Sequence, residues 1–181
     1  MNKLVLELDS RRRIFDAIRE YPGMHLREIG REVRLAPNLV DYHLIYLEKR
    51  GFVYSLHDGK YKRYFLRDCA EEVDKGNIIS APDSRIVSLL RRKVPFQITL
   101  LILKNGPMTH GAIVESMRRS PSTISHHLNK LMKAGIISRV NCNSGYVIRD
   151  CMSVERILLR FNPQPITLVD GFLEIWEDFV L

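Results

Sequence analysis

Cysteine is scarce in this sequence, and long apolar runs are absent from it. The three cysteines, Cys69, Cys142 and Cys151, form no C-x-C or C-x-x-C motif, so neither a disulfide framework nor a metal site is expected. No apolar run approaches the roughly 20 residues that a membrane-spanning helix needs. The first ten residues also lack the basic and then apolar pattern of a secretory signal. These absences predict a soluble protein of a reducing cytoplasm.

Sequence motifs of the common catalytic sites are absent as well. The chain has no GxxxxGK[ST] phosphate loop, no GxGxxG dinucleotide motif, no HExxH zinc motif and no GxSxG nucleophile motif. We therefore expect no enzymatic activity and no cofactor.

Acidic residues are rare in one part of the chain. The net charge is +7 overall, and residues 95–149 contain seven basic residues against a single acidic one, Glu115. Residues 150–181 are acidic instead, with six acidic and two basic residues. A concentrated positive charge predicts a polyanionic partner, although it says nothing about the fold.

What the sequence does contain is one 31-residue pattern that occurs twice, 84 positions apart and without a gap. The matching pairs are Met24 and Met108, Ile29 and Ile113, Pro37 and Pro121, His43-Leu44 and His127-Leu128, Leu47 and Leu131, Lys49 and Lys133, and Gly51 and Gly135. A repeat at a fixed offset indicates that one supersecondary unit is used twice.

Each copy predicts three helices followed by a β-hairpin. Apolar residues recur at helical spacing in the first copy over residues 11–21, 25–33 and 37–50. Pro37 suits the first turn of the third helix, and Gly51 suits a left-handed cap at its end. His57-Asp58-Gly59 separates two β-prone stretches and predicts the hairpin turn. The second copy repeats this order, with helices at 96–104, 110–117 and 122–134 and strands at 136–140 and 146–149.

Three helices and a hairpin are the layout of a winged helix-turn-helix domain. We therefore expect a mainly α fold with small β-hairpin wings (α+β), built as two tandem winged helix-turn-helix domains. The expected segments are a first domain at 1–66, a helical connector at 67–94, a second domain at 95–149 and a C-terminal helical segment at 150–181.

The segment Ser120–Ser138 resembles the recognition helix and wing of ArsR-like and MarR-like regulators. The matching positions are Ser125, His127, Leu128, Leu131, Gly135, Ile136 and Ile137. Two such units in one short chain resemble the tandem winged-helix transcription regulators found mainly in archaea. The resemblance covers residues 11–66 and 95–149, and it implies sequence-specific binding of double-stranded DNA and control of transcription.

In such a domain the third helix enters the major groove. Candidate DNA-binding residues on or before the third helix of the second copy are Arg118, Arg119, Ser120, Ser122, Thr123, Ser125, His126, Asn129, Lys130 and Lys133. Their hydroxyl and amide groups suit base edges or phosphates, and their cations suit phosphates.

The first copy departs from this pattern in its third helix. Asp41 replaces Ser125, and Ile45 and Tyr46 replace Asn129 and Lys130, so an exposed acid and apolar residues predict weaker DNA reading or a protein contact. Its hairpin interleaves basic and aromatic residues and predicts a backbone or minor-groove contact. The candidate DNA-binding residues of this copy are Asn38, Tyr42, Lys60, Lys62, Arg63 and Tyr64.

An apolar stripe near the C-terminus must be covered either by this chain or by a second copy. Its members are Leu168, Phe172, Ile175, Trp176 and Phe179. We favour the second copy and expect a homodimer. His43 and His127 are expected to be structural, each with a backbone carbonyl as partner.

Two alternatives to a specific regulator remain open. Tandem winged helices also serve as protein-binding scaffolds, which the apolar residues of the first copy favour. A sequence-tolerant chromatin protein would combine high DNA affinity with little base discrimination.

Overall fold

The chain forms two compact units, Met1–Ser88 and Leu89–Leu181. The computed structural model describes residues 9–67, 81–140 and 145–161, without the side chains of residues 81, 82, 160 and 161. The expected division into four segments remains a prediction.

The first unit consists of helices followed by a hairpin. Its elements are α1 (Asp9–Glu20), α2 (Leu26–Glu32), α3 (Pro37–Lys49), β1 (Val53–Asp58) and β2 (Tyr61–Leu66), and α4 (Ala81–Leu90) runs across the boundary with the second unit. As predicted, Pro37 lies in the first turn of α3, and Gly51 follows the helix with a φ of 78°. The core is built on Val40, Leu44 and Leu47 of α3, which are fully buried with side chains of α1 and β1.

The first hairpin is longer than the sequence predicts. Val53 lies opposite Leu66 and Asp58 lies opposite Tyr61, so the turn consists only of Gly59 and Lys60. His57 and Asp58, which were expected in the turn, belong to β1. A two-residue turn matches the twist of paired strands when its first residue takes a positive φ, and Gly59 has a φ of 64°.

The second unit repeats this order and adds a strand and a final helix. Its elements are α5 (Lys93–Asn105), β3 (Met108–Thr109), α6 (His110–Met117), α7 (Pro121–Lys133), β4 (Ile137–Arg139), β5 (Gly145–Ile148) and α8 (Cys151–Phe161). Its sheet has the order β3-β5-β4, with all pairs antiparallel. The strand β3 was not predicted, because two residues are too short to show a period.

The two hairpins differ in length by two residues. Val53 pairs with Leu66 in the first unit, whereas Ile137, its counterpart in the repeat, pairs with Ile148. Tyr146 therefore takes the structural position of Tyr64, although the sequence offset of 84 would match other residues. Helical units with small antiparallel hairpins confirm the predicted α+β class. Within the described ranges, no helix has the length and apolarity to cross a membrane.

Gly51 offers a test of the left-handed cap after α3. A Cβ atom built at Gly51 meets nothing within 4 Å, so its φ of 78° is the only obstacle to a side chain. We expect Gly51→Ala to lower the free energy of unfolding by about 1–2 kcal/mol, measured by urea denaturation. The control is Gly111→Ala in α6, where a Cβ also meets nothing and φ is not positive. This variant should be neutral or more stable by up to about 1 kcal/mol; equal losses in both would contradict the cap.

Candidate nucleic-acid interface

The side of α7 that faces away from the core is a polar stripe. Ile124, Leu128 and Leu131 are fully buried and set the rotation of the helix about its axis. The exposed side chains at helical spacing on the other side are Ser122, His126, Asn129 and Lys133. Half-buried side chains at the edges of this stripe are Thr123, Ser125 and Lys130. The structure thus brings the predicted residues of α7 together on one surface.

Hydroxyl groups at the start of α7 are linked by hydrogen bonds. Ser120 caps the helix, because its Oγ accepts from the backbone N–H of Thr123 at 3.3 Å. The same Oγ lies 2.7 Å from Thr123 Oγ1 and 3.2 Å from Ser122 Oγ. These contacts hold three short polar groups in place at the end of the helix that approaches base edges in this class of domain.

The basic side chains around α7 have no acidic partner in the part of the chain that the structure describes. Arg118 and Arg119 are exposed between α6 and α7, and Arg118 has a left-handed backbone with a φ of 48°. Neither residue, nor Lys130, Lys133 or Arg139, makes an ion pair with any part of the chain that the structure describes. An unpaired cation keeps its full charge for an external anion.

A pocket of about 420 Å³ lies beside the polar stripe and contains residues that were not predicted from the sequence. Its lining residues are His110, Ser125, Asn129, Arg139 and Tyr146. His110 Nε2 is 2.9 Å from Ser125 Oγ, and Arg139 Nη2 donates to Tyr146 Oη at 3.2 Å. These residues come from β3–α6, α7 and the hairpin, so only tertiary structure joins them. The signal that the sequence offered for them is that Arg139 lies in a hairpin, residues 137–148, that contains no acidic residue.

Arg63 lies in the interior of the first unit and not on the surface predicted for DNA contact. Its side chain is 4% exposed, and its guanidinium donates to the Gly23 carbonyl at 2.8 Å and to Asp58 Oδ2 at 3.1 Å. Glu28 Oε2 lies 3.7 Å from Arg63 Nη1. A buried cation surrounded by acceptors ties the hairpin to α2 and is not available to a phosphate. The prediction of a DNA contact was therefore wrong for Arg63.

The other candidate residues of the first hairpin divide into buried and exposed groups. Tyr64 is 2% exposed, so its predicted DNA contact was also wrong. Lys62 donates to Glu48 Oε2 at 2.8 Å, which neutralises much of its charge. Lys60 and Tyr61 at the tip are exposed. The basic surface of this hairpin is thus smaller than its sequence suggests.

The outward face of α3 carries apolar and acidic side chains, whereas the outward face of α7 carries polar and basic ones. Asn38 and Asp41 are exposed there, together with Leu39, Ile45 and the 60%-exposed Tyr42. Asp41 and Ile45, which stand where the second repeat has Ser125 and Asn129, are thus exposed as the sequence predicted.

Tyr46 was expected to be exposed, but it is half-buried against the core. The guanidinium carbon of Arg11 lies 3.9 Å from its ring centroid, and that of Arg50 lies 5.3 Å away. Attraction between each cation and the ring face holds the tyrosine in this position.

His43 and His127 occupy equivalent positions of the repeat. His43 is buried and His127 is half-buried. Among the described residues, the buried Nδ1 atom of each has no hydrogen-bond partner, so the expected backbone carbonyl is not found there. Burial lowers the pKa of both rings, assisted by the charge of Arg11 at His43 and by His126, Lys130 and Arg92 at His127. This lowered pKa favours the neutral form of both rings.

Other predicted features fall outside the described residues. The apolar stripe Leu168, Phe172, Ile175, Trp176 and Phe179 lies there, as does the tip of the second hairpin with Cys142. The homodimer accordingly stays a prediction. In the described ranges, no group of three or more His, Cys, Asp or Glu residues could hold a metal ion.

Three helices followed by a hairpin in each unit define two winged helix-turn-helix domains, a class that is normally not enzymatic. Comparison with protein families agrees: a family described as an N-terminal HTH domain matches residues 8–78, and the bacterial regulatory protein, arsR family, matches residues 97–139. The chain thus carries two helix-turn-helix domains in series. Its expected resemblance to tandem, archaeal-type winged-helix regulators is confirmed.

The chain is also similar to an uncharacterized HTH-type transcriptional regulator of Methanocaldococcus jannaschii. The two are 28% identical over 134 residues, which is 74% of this chain but 31% of that protein. The chain thus spans less than a third of the length of this relative. Among solved structures, human N-acetylserotonin methyltransferase in complex with SAM aligns with a TM-score of 0.35 and 12% identity, over 72% of this chain and 40% of the other. A likeness this weak carries no argument about fold or activity.

Replacing Arg63 separates its structural role from the DNA contact that the sequence suggested. We expect Arg63→Met to lower the free energy of unfolding by about 2–4 kcal/mol, because Asp58 and the Gly23 carbonyl lose a buried donor. Urea denaturation measures this loss. Lys60→Met, at the exposed tip, should leave stability nearly unchanged. Unaltered stability of Arg63→Met combined with weaker DNA binding would restore the original prediction.

The lowered pKa values of His43 and His127 predict a loss of stability in mild acid. Their pKa values in the folded state lie below the ordinary histidine value of about 6.5, so the unfolded chain binds more protons just below that pH. The contribution is complete above about pH 6.5 and falls as the pH drops toward the lowered values. Urea denaturation across pH 7.5 to 5 should show this fall, and His43→Leu should reduce it. His57→Gln, at an exposed position, should not; an identical pH profile for His43→Leu would contradict the assignment.

Proposed function

We propose that the protein is a sequence-specific, double-stranded DNA-binding transcriptional regulator whose main recognition element is α7. The observation that carries this proposal is the polar outward stripe of α7, surrounded by basic side chains that form no ion pair with the described residues. The similarity of the chain to HTH-type transcriptional regulators supports the same function.

In the proposed complex the start of α7 points into the major groove. Ser120, Ser122 and Thr123 are short enough to reach phosphates or base edges without steric conflict. Asn129 lies further along the exposed stripe, and its amide matches the donor and acceptor of an adenine edge. Arg118, Arg119, Lys130 and Lys133 contribute most of the affinity by neutralising phosphates, which makes binding salt-dependent.

The first domain contributes less to DNA reading in this proposal. Its hairpin offers Lys60 and Tyr61 at the exposed tip, while Lys62 is engaged by Glu48. Asn38 and Tyr42 of α3 remain candidate contacts because both are exposed. We further propose that the apolar stripe between Leu168 and Phe179 joins two copies, since dimeric regulators of this class bind paired half-sites.

Selection from random DNA duplexes tests this function directly. The full chain is mixed with the pool at two salt concentrations, and the retained sequences are read. Enrichment of a defined motif, inverted if the protein is a dimer, supports a specific regulator. Tight, motif-free binding with a steep salt dependence would instead indicate a chromatin protein. No retention at the lower salt would contradict DNA binding.

Repeat-equivalent residues supply matched controls for the role of α7. We expect Asn129→Ala to weaken binding to the selected motif about tenfold or more and to relax discrimination at one base pair. Lys133→Ala should weaken binding to all sequences and reduce the slope of log affinity against log salt by about one. Ile45→Ala and Lys49→Ala alter the corresponding positions of α3 and should have smaller effects. Equal effects in both helices, measured by fluorescence anisotropy, would contradict the leading role of α7.

A protein-binding role of α3 is the second candidate. Leu39, Tyr42 and Ile45 are 39%, 60% and 44% exposed on one helix, which is unusual for large apolar side chains. If Tyr42→Ser and Ile45→Ser leave DNA affinity and motif unchanged, this face is free for a protein partner. A loss of motif selection in these variants would assign α3 to DNA.

A further inference from the structure

The pocket between α7 and the second hairpin has the composition of an anion site. Ser125 and Asn129 were expected from the sequence to face DNA, but His110, Arg139 and Tyr146 were not. None of the five lining side chains is acidic. Arg139 is exposed and without an ion pair among the described residues, and its guanidinium lies 5.5 Å from the Tyr146 ring centroid.

The donors in the pocket fit a ligand that only accepts hydrogen bonds. Arginine carries five N–H donors, and the contact of Arg139 with Tyr146 Oη uses one of them. When Ser125 donates its hydroxyl proton to such a ligand, its Oγ can still accept from His110 Nε2–H across the 2.9 Å contact. The amide NH₂ of Asn129 adds two further donors. Charge-assisted hydrogen bonds from arginine to phosphate are among the strongest that proteins make.

The equivalent position in the first domain provides an internal comparison. There the repeat replaces His110 by Leu26, Ser125 by Asp41 and Asn129 by Ile45. Tyr64, which takes the place of Tyr146, has a pKa raised by burial and by the carboxylates of Glu48 and Asp41.

The residue paired with the tyrosine also differs: Ser55 pairs with Tyr64 in the first domain, whereas Arg139 pairs with Tyr146 in the second. Lys62 lies 5.3 Å from the Tyr64 ring centroid and is bound to Glu48 at 2.8 Å. The residue that corresponds to Glu48 in the second repeat is the uncharged Met132. The first domain thus has Asp41 and Ser55 where the second has Ser125 and Arg139, so its charge suits an anion less well.

We propose that the pocket lined by His110, Ser125, Asn129, Arg139 and Tyr146 is a phosphate-binding site. Its ligand is a phosphate group, either a phosphodiester of the DNA backbone or a free phosphate ester that would then compete with DNA on the same face. A phosphodiester as the ligand rests on the proposed function, because it requires that the protein binds DNA. A free phosphate ester as the ligand does not require it. In either case the pocket deepens the role of α7, because Ser125 and Asn129 belong to both surfaces.

Two measurements on the full chain distinguish these sources. In the first, inorganic phosphate is titrated at constant ionic strength and followed by ³¹P line broadening. In the second, DNA affinity is measured over a salt series with and without added phosphate. Arg139→Gln is the test variant. Arg149→Gln is the matched control, because Arg149 is exposed after the same hairpin but does not line the pocket.

We expect Arg139→Gln to weaken DNA binding about tenfold and to reduce the salt slope by about one. Arg149→Gln should change affinity about twofold or less, since screening limits the effect of a remote charge. Ser125→Asp, which copies the carboxylate of the first domain, should weaken binding at least as strongly as Arg139→Gln. Arg139 is exposed and Ser125 is half-buried, so neither substitution removes a core side chain. Circular dichroism verifies that the variants fold.

Each outcome bears on the proposal. Broadening of the phosphate signal that Arg139→Gln abolishes, with weaker DNA binding in added phosphate, supports the site and assigns it to free phosphate esters as well. Loss of DNA affinity in Arg139→Gln without phosphate broadening supports a backbone phosphodiester as the ligand. Phosphate binding through Arg139 in a protein that retains no DNA would overturn the proposed function but not the site. Equal DNA affinities of the two arginine variants and no phosphate broadening would overturn the site.

Discussion

Burial of one apolar side of the third helix is the constraint on which the rest of each domain depends. Three side chains of α3 and three of α7 are fully buried, and each contributes about 1.5–3 kcal/mol by leaving water. Their packing sets the rotation of the helix about its axis. The residues one half-turn away must then face outward, whatever their chemistry. The surface that a recognition helix presents is thus a consequence of its core.

The two domains share this scaffold but differ in whether their basic side chains are paired with acidic ones. In the first, Arg63 and Lys62 are held by Asp58, Glu28 and Glu48, so basic residues stabilise the hairpin. In the second, the cations of α7 and its hairpin have no acidic partner in the described ranges. Because an ion pair within the chain competes with a phosphate for the same donors, the second domain is the better electrostatic match for DNA.

Sequence periodicity predicted nearly all the helices and the order of both domains, with errors mainly at element ends. It misjudged β2, where Arg63, Tyr64, Phe65 and Leu66 are buried in succession. Successive side chains of a strand point to opposite faces, so a buried run means that both faces are covered. Alternating basic and aromatic residues had suggested one exposed face. Burial of an arginine depends on acceptors such as the Gly23 carbonyl, 40 positions away in the chain, and no local pattern reveals them.

By itself, the sequence determined the duplication, the class of both domains and the outward residues of α7, because these follow from local spacing of apolar residues and from helix-ending glycines. Tertiary structure decided which polar residues remain free. The pairs Lys62 and Glu48, His110 and Ser125, and Arg139 and Tyr146 form only when separate elements pack together. Net charge along the chain indicated a polyanion, but the availability of each cation depends on distances of a few ångströms between residues remote in sequence. Electrostatic attraction and hydrogen bonding act over those distances in space, irrespective of sequence separation.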